Sequence, residues 1–144
     1  MPKIKEKIYL NCTPEEAFNE MSKFDFINKI NSTAGVDTKV IFQNERVIRY
    51  TISVDNVGSW ESERILIPES NIIVTQRRTP LAPFKYMVVI YAFKEHSQGT
   101  QFIYVEEFEV EDKSTGKEQK IFADVLNKVG PILKNISDYF NLKD

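Results

Sequence analysis

Cysteine is almost missing from this chain. Cys12 stands alone, so neither an intrachain disulfide nor a thiolate zinc cluster can be built, and the residue reads as a small packing group. Histidine is as scarce: His96, in an HSQG turn, has no second imidazole to complete a metal site or a serine–histidine triad. The chain also lacks a G-x-S-x-G elbow, a Walker loop and a G-x-G-x-x-G turn. Charge of one sign is lacking too, since 19 Lys and Arg face 21 Asp and Glu for a net charge of -2. That balance offers no general attraction for nucleic acid or an anionic membrane. Long apolar runs are absent: MPKIKEKIYL alternates charged and apolar residues, and no later run reaches membrane-spanning length. These absences lead us to expect a cytoplasmic protein without a metal, recognising any partner locally. With 144 residues, one domain over 1–144, acting as a monomer, is the expectation.

What is present is alternation. KIKEKIYL predicts a half-buried strand. NCTPEEAF then starts a helix, with Thr13 as N-cap, Pro14 at the first helical position and Glu16 closing a capping box. Phe24, Ile27 and Ile30 fall three apart and predict a second, short helix over residues 25–30. Six runs rich in branched and aromatic residues follow: DTKVIFQ, ERVIRYTISV, GSWESERILI, NIIVTQRR, FKYMVVIYAFKE and GTQFIYVEEFEVE, separated by polar turns. They read as an antiparallel meander. Ile121, Phe122, Val125, Val129, Ile132, Leu133, Ile136 and Phe140 keep helical spacing and predict a long closing helix, kinked near Asn127 by Pro131. The pattern is α+β: a seven-stranded antiparallel sheet around one long helix, with an internal cavity between them.

Within GSWESERIL, Trp60, Ser62 and Arg64 share a face with Leu66, and that face is expected inside. A buried guanidinium is costly unless it is paired or meets water, because arginine does not give up its proton. Two reasons for Arg64 stand side by side: an ion pair with Glu106, or a clamp for an anion or carbonyl in a wet pocket. On the third strand Ile48, Tyr50, Ile52 and Val54 should point inward. Alternation does not decide the sixth strand, which offers Tyr86, Val88, Ile90 and Ala92 on one face and Met87, Val89, Tyr91 and Phe93 on the other. On the seventh, Phe102, Tyr104, Glu106 and Phe108 form the more aromatic face. Paired with Arg64, Glu106 would stay ionised; unpaired, it would rise toward the range useful for acid–base work. In the fifth strand Gln76 and Arg78 share parity with Ile72 and Val74 and are taken as pocket-facing.

SWESERIL, PFKYM and GTQFIYVEEF, in that order, resemble the polyketide aromatase/cyclases of the START-like helix-grip superfamily, which carry W-x-S-x-R, G-P-F-E-Y-M and G-T-x-x-x-W-V-x-x-F at the corresponding strands. The correspondence covers about residues 57 to 110. It implies a cavity that folds a poly-β-ketone tethered to an acyl carrier protein and promotes aldol closure and dehydration of a first aromatic ring, without a cofactor. It implies that Arg64 is the essential pocket arginine and Ser62 the pocket serine, that Phe84 and Met87 line the cavity, and that Arg78 is a second arginine near the entrance. Two tryptophans of the pattern are Tyr91 and Tyr104 here, and a glutamine is Glu106.

The expected catalytic set is therefore Arg64, Glu106, Tyr104 and Ser62, walled by Trp60, Tyr50, Gln76, Arg78, Phe84, Met87 and Tyr91. Phe122, Leu126 and Val129 at i, i+4 and i+7 are expected to supply the helix side. Arg77, Arg78 and Lys85 around TPLAP could meet an acidic carrier. The rival reading from the same residues is a non-catalytic carrier of a lipid, isoprenoid quinone or aromatic metabolite, and a third is a groove for a peptide or helix.

Overall fold

Period-two burial builds the sheet. The computed structural model describes residues 3–26, 36–56, 58–78, 84–97, 99–111 and 116–141. Strands β1 (Lys3–Leu10), β2 (Val36–Gln43), β3 (Val47–Val54), β4 (Gly58–Ile67), β5 (Ile72–Arg77), β6 (Phe84–His96) and β7 (Gly99–Val110) form a seven-stranded antiparallel sheet. Its order is β1-β7-β6-β5-β4-β3-β2, a meander whose first strand joins the last. Helices α1 (Pro14–Ser22) and α2 (Glu118–Asn141) pack on the inner face. This is the α+β order that the pattern predicts. Residues 24–26 form a helical turn, and the rest of the expected 25–30 helix lies outside the described residues.

Alternation is cleanest in β7, where Thr100, Phe102, Tyr104, Glu106, Phe108 and Val110 are buried and the residues between them are partly exposed. Register then settles β6. Phe93, Tyr91, Val89 and Met87 lie opposite Phe102, Tyr104, Glu106 and Phe108, so they share the inner face. Ring pairs fill the layer, with centroids 5.2 Å apart for Phe93 and Phe102 and 5.7 Å for Tyr91 and Tyr104. At the β6–β7 turn Gly99 has φ +151, and a side chain there would meet the Leu10 carbonyl.

Thr13 starts α1 as expected. Its Oγ1 accepts from the Glu16 N–H at 3.1 Å and donates to Glu16 Oε1. In α2, Val125, Val129, Leu133 and Ile136 are buried at helical spacing. The helix continues through Pro131, whose missing N–H leaves the Asn127 carbonyl without its intrahelical partner. Asn127 is exposed, so water can serve that oxygen. The far end of α2 is pinned to the sheet: Asn141 donates to the Tyr9 carbonyl at 3.0 Å and accepts from the Asn11 N–H at 2.9 Å. Phe26 stands edge-on to Tyr139 at 4.9 Å, which ties the turn after α1 to the same end.

Candidate functional site

Where α2 crosses the curved sheet, a cavity of about 240 Å³ remains. Tyr50, Arg64, Thr75, Arg77 and Tyr91 contribute to its sheet side, and Val125, Lys128, Val129 and Ile132 form its helix side. A second hollow of about 150 Å³ shares Tyr50, Ile52, Thr75, Arg77, Met87 and Val89 with it and adds Trp60 and Ser62. Register explains the convergence. Tyr50 pairs with Ser62 across β3 and β4, and Ser62 and Arg64 pair with Arg77 and Thr75 across β4 and β5. Cross-strand partners share a face, so one buried position on β4 draws the others inward.

Arg64 is 1% exposed and holds no carboxylate among the described residues. Its Nη1 instead donates to the Met21 carbonyl at 2.8 Å. Met21 lies in the last turn of α1, where carbonyls lack intrahelical partners and carry the negative end of the helix dipole. The guanidinium therefore caps a helix. Its carbon sits 5.9 Å from the Tyr91 ring centre, and its buried Nε–H has no acceptor among the described residues. Of the two reasons weighed for Arg64, the ion pair with Glu106 is not formed, and the helix end takes the place of the carboxylate.

Glu106, 5% exposed, instead accepts from the Tyr104 hydroxyl at 2.6 Å. Burial pushes its carboxyl above the usual range, against the opposing pull of the Tyr104 bond and of Arg77 and Lys128. Tyr104 is raised strongly by burial, with Tyr91 and Glu106 adding to it. Burial likewise pushes Tyr91 up to about 12, although Arg64 opposes the change. The Tyr50 phenol is raised by burial despite Arg64 and Ser62 beside it. Arg77 is lowered by burial, which Glu106 and Tyr50 partly offset. Its guanidinium lies between two rings, 4.4 Å from the Trp60 centroid and 5.2 Å from that of Phe84.

Of the predicted residues, Arg64, Tyr104, Glu106, Tyr50, Phe84, Met87, Tyr91 and Val129 line the main cavity, and Trp60 and Ser62 line the adjoining hollow. The fifth strand requires a correction. Gln76 borders the hollow but lies opposite Glu63, on the outer-face parity, and is exposed. Arg78 is outside the pocket, exposed and bound to Glu61 at 3.1 Å. Arg77 is the inward arginine. Both faces of IIVTQR begin apolar, so alternation could not choose between them. The signal was in the turn: residues 68–71 join Ile67 to Ile72, and counting back from that pair sets Arg77 opposite Ser62.

The helix face is also corrected. Leu126 is 41% exposed, and Phe122 packs on Phe108 with centroids 6.3 Å apart, outside the cavity lining. The inner stripe passes through Val125, Val129 and Ile132, about a residue's turn away from the expected one. Ile52 lines the cavity from the face of β3 expected to point inward, and Thr75, Val89 and Lys128 are lining residues that pattern reading missed. The cationic cluster proposed for carrier contact is dispersed: Arg77 turns inward, while Lys85 sits 3.6 Å from Glu109 on the outside.

No family profile matches the chain. A Streptomyces cyaneus protein named "Putative polyketide cyclase" is 28% identical over 92 residues, spanning 62% of this chain and 59% of that relative. The Zhui aromatase/cyclase from Streptomyces sp. R1128 superposes with a TM-score of 0.71 at 11% identity, over 95% of this chain and 94% of that one. The di-domain ARO/CYC BexL from the BE-7585A biosynthetic pathway gives a TM-score of 0.78 at 14% identity, over 95% of this chain and 45% of its own. The architecture is thus the helix-grip fold found in aromatase/cyclases. In sequence, the chain resembles a polyketide cyclase over the segment aligned. No helix among the described residues is long and apolar enough to cross a membrane.

Proposed function

We propose that this protein is a polyketide aromatase/cyclase-like enzyme that folds a poly-β-ketone in its cavity and directs aldol closure and dehydration to an aromatic ring. The supporting observation is the convergence of Arg64, Arg77 and the Tyr104–Glu106 pair on one cavity whose remaining walls are largely apolar. A carboxyl whose proton affinity is raised by burial is a stronger base than an ordinary surface carboxylate, which suits it to take a proton and to return it. Glu106 removes a proton from an acidic methylene flanked by two carbonyls. The resulting enolate carbon attacks a ketone carbon further along the chain, forming the carbon–carbon bond. Glu106 returns the proton to the new alkoxide, and the resulting hydroxyl departs together with the second methylene proton as one molecule of water, leaving the ring's double bond. The guanidiniums stabilise the enolate and alkoxide oxygens, and the fixed walls select which carbons meet. The scheme uses no cofactor.

The cavity lies just below the ~300 to 1,000 Å³ usual for small-ligand sites. Together with the adjoining hollow it holds the ring-forming part of a chain, and an acyl carrier protein presents the remainder from the Lys128 side. The test is reconstitution with a minimal polyketide synthase, with and without this protein, read by mass spectrometry. A single aromatic product replacing the spontaneous mixture is expected. An unchanged mixture at every chain length would remove the cyclase reading and favour a non-catalytic carrier of an aromatic or isoprenoid metabolite.

A further inference from the structure

The charges lining the cavity do not balance. Arg64 and Arg77 bring two guanidiniums and Lys128 an exposed ammonium, against one carboxyl, Glu106. Neither guanidinium has a carboxylate within ion-pair distance among the described residues. Arg64 spends one N–H on the Met21 carbonyl, and its buried Nε–H has no partner among the described residues. Arg77 rests on the faces of Trp60 and Phe84. Glu106 is turned to Tyr104, whose hydroxyl occupies one of its oxygens. Guanidiniums drawn out of water with no carboxylate in ion-pair contact cost free energy until an anion joins them. Beside them stand apolar walls, Met87, Val89, Val129 and Ile132.

We infer that the cavity takes an anionic ligand, a free carboxylic acid with an aromatic or unsaturated body, its carboxylate held by Arg77 and Arg64 and its body lying against the apolar walls. Arginine suits the task, since its planar fork matches a carboxylate and its face tolerates aromatic neighbours. The inference goes beyond the cyclase reading by giving the same cavity a charged ligand; it rests on the cavity being the ligand site and not on ring closure. A carrier-tethered chain has its terminal carboxyl tied up as a thioester. The free acid is therefore a released chain or product, and the reaction that supplies it is thioester hydrolysis.

The probes are 2-naphthoate and 2-naphthamide, alike in shape and different in charge, titrated into the full chain by calorimetry. Naphthoate is expected to bind about tenfold more tightly or better, the range of one or two charge-assisted hydrogen bonds. Arg77→Gln, with its fold checked by a melting curve, is expected to abolish the preference. Equal affinities, tighter binding of the amide, no binding of either probe at millimolar concentration, or an undiminished preference in folded Arg77→Gln would each overturn the inference. Should that variant not fold, Arg77→Lys, which keeps charge but loses the fork, is expected to narrow the preference, and an unchanged ratio would count against it. The two readings separate cleanly. Acid preference without any effect on the products of a minimal synthase keeps this inference and removes the cyclase; directed cyclisation without acid preference does the reverse.

Discussion

Glu106→Gln isolates the cost of burying a carboxyl among aromatics. The folded chain holds the Glu106 proton more tightly than the unfolded chain, because burial raises the carboxyl above its ordinary value of 4.5. Below that value both states are protonated and the group is silent. As pH rises from 4.5 to the raised folded value, the unfolded chain loses the proton first, and stability falls. Every tenfold gain in proton affinity is worth about 1.4 kcal/mol, or roughly 4 °C in Tm for a chain of this size. Glutamine cannot ionise, yet its amide oxygen can still accept from Tyr104, so the 2.6 Å hydrogen bond has a successor. Thermal melts of both proteins from pH 4 to pH 8 are the assay. They should coincide at pH 4, and the variant should become progressively more stable above it. Parallel curves, or a wild type that gains on the variant as pH rises, would mean that a guanidinium stabilises the carboxylate and that burial does not govern this site.

Other consequences are open to the same kind of check. Arg64→Met roughly preserves volume but strips the Met21 carbonyl of its donor, and urea titration should show a loss of about 1 to 3 kcal/mol. Thr13→Ala removes the cap of α1 and should cost about 1 kcal/mol, while Thr13→Ser should cost a few tenths at most. Val129, 2% exposed, should lose about 2 kcal/mol as alanine. Leu126→Ala, on the solvent side, should stay within about 0.5 kcal/mol and leave ligand affinity unchanged.

The sheet was legible because its strands alternate and its turns are polar, and β7 shows this most clearly, with every second residue from Thr100 to Val110 buried. The inward face of β4 followed from Trp60 and Leu66 alone. Where both faces of a strand are apolar, alternation carries no information. β5 and β6 were therefore decided by hydrogen-bonded register, which depends on the length of the turn between strands. Arg64 shows a different limit. A guanidinium can be satisfied by a helix end as well as by a carboxylate, and nothing local in SWESERIL announces that the last turn of α1 will arrive above it. The helix face was misplaced because Leu126 and Val125 are neighbours on an apolar stripe wider than the cavity it covers.

The most direct measurement is the fraction of regiospecific aromatic product made by a minimal polyketide synthase supplemented with wild type, Arg64→Met or Glu106→Gln, each confirmed as folded. Wild type should direct one product, Arg64→Met should return the mixture to the spontaneous one, and Glu106→Gln should slow ring formation while the choice of ring persists. The same directed product from all three would show that the polar groups of the cavity play no part in closing the ring.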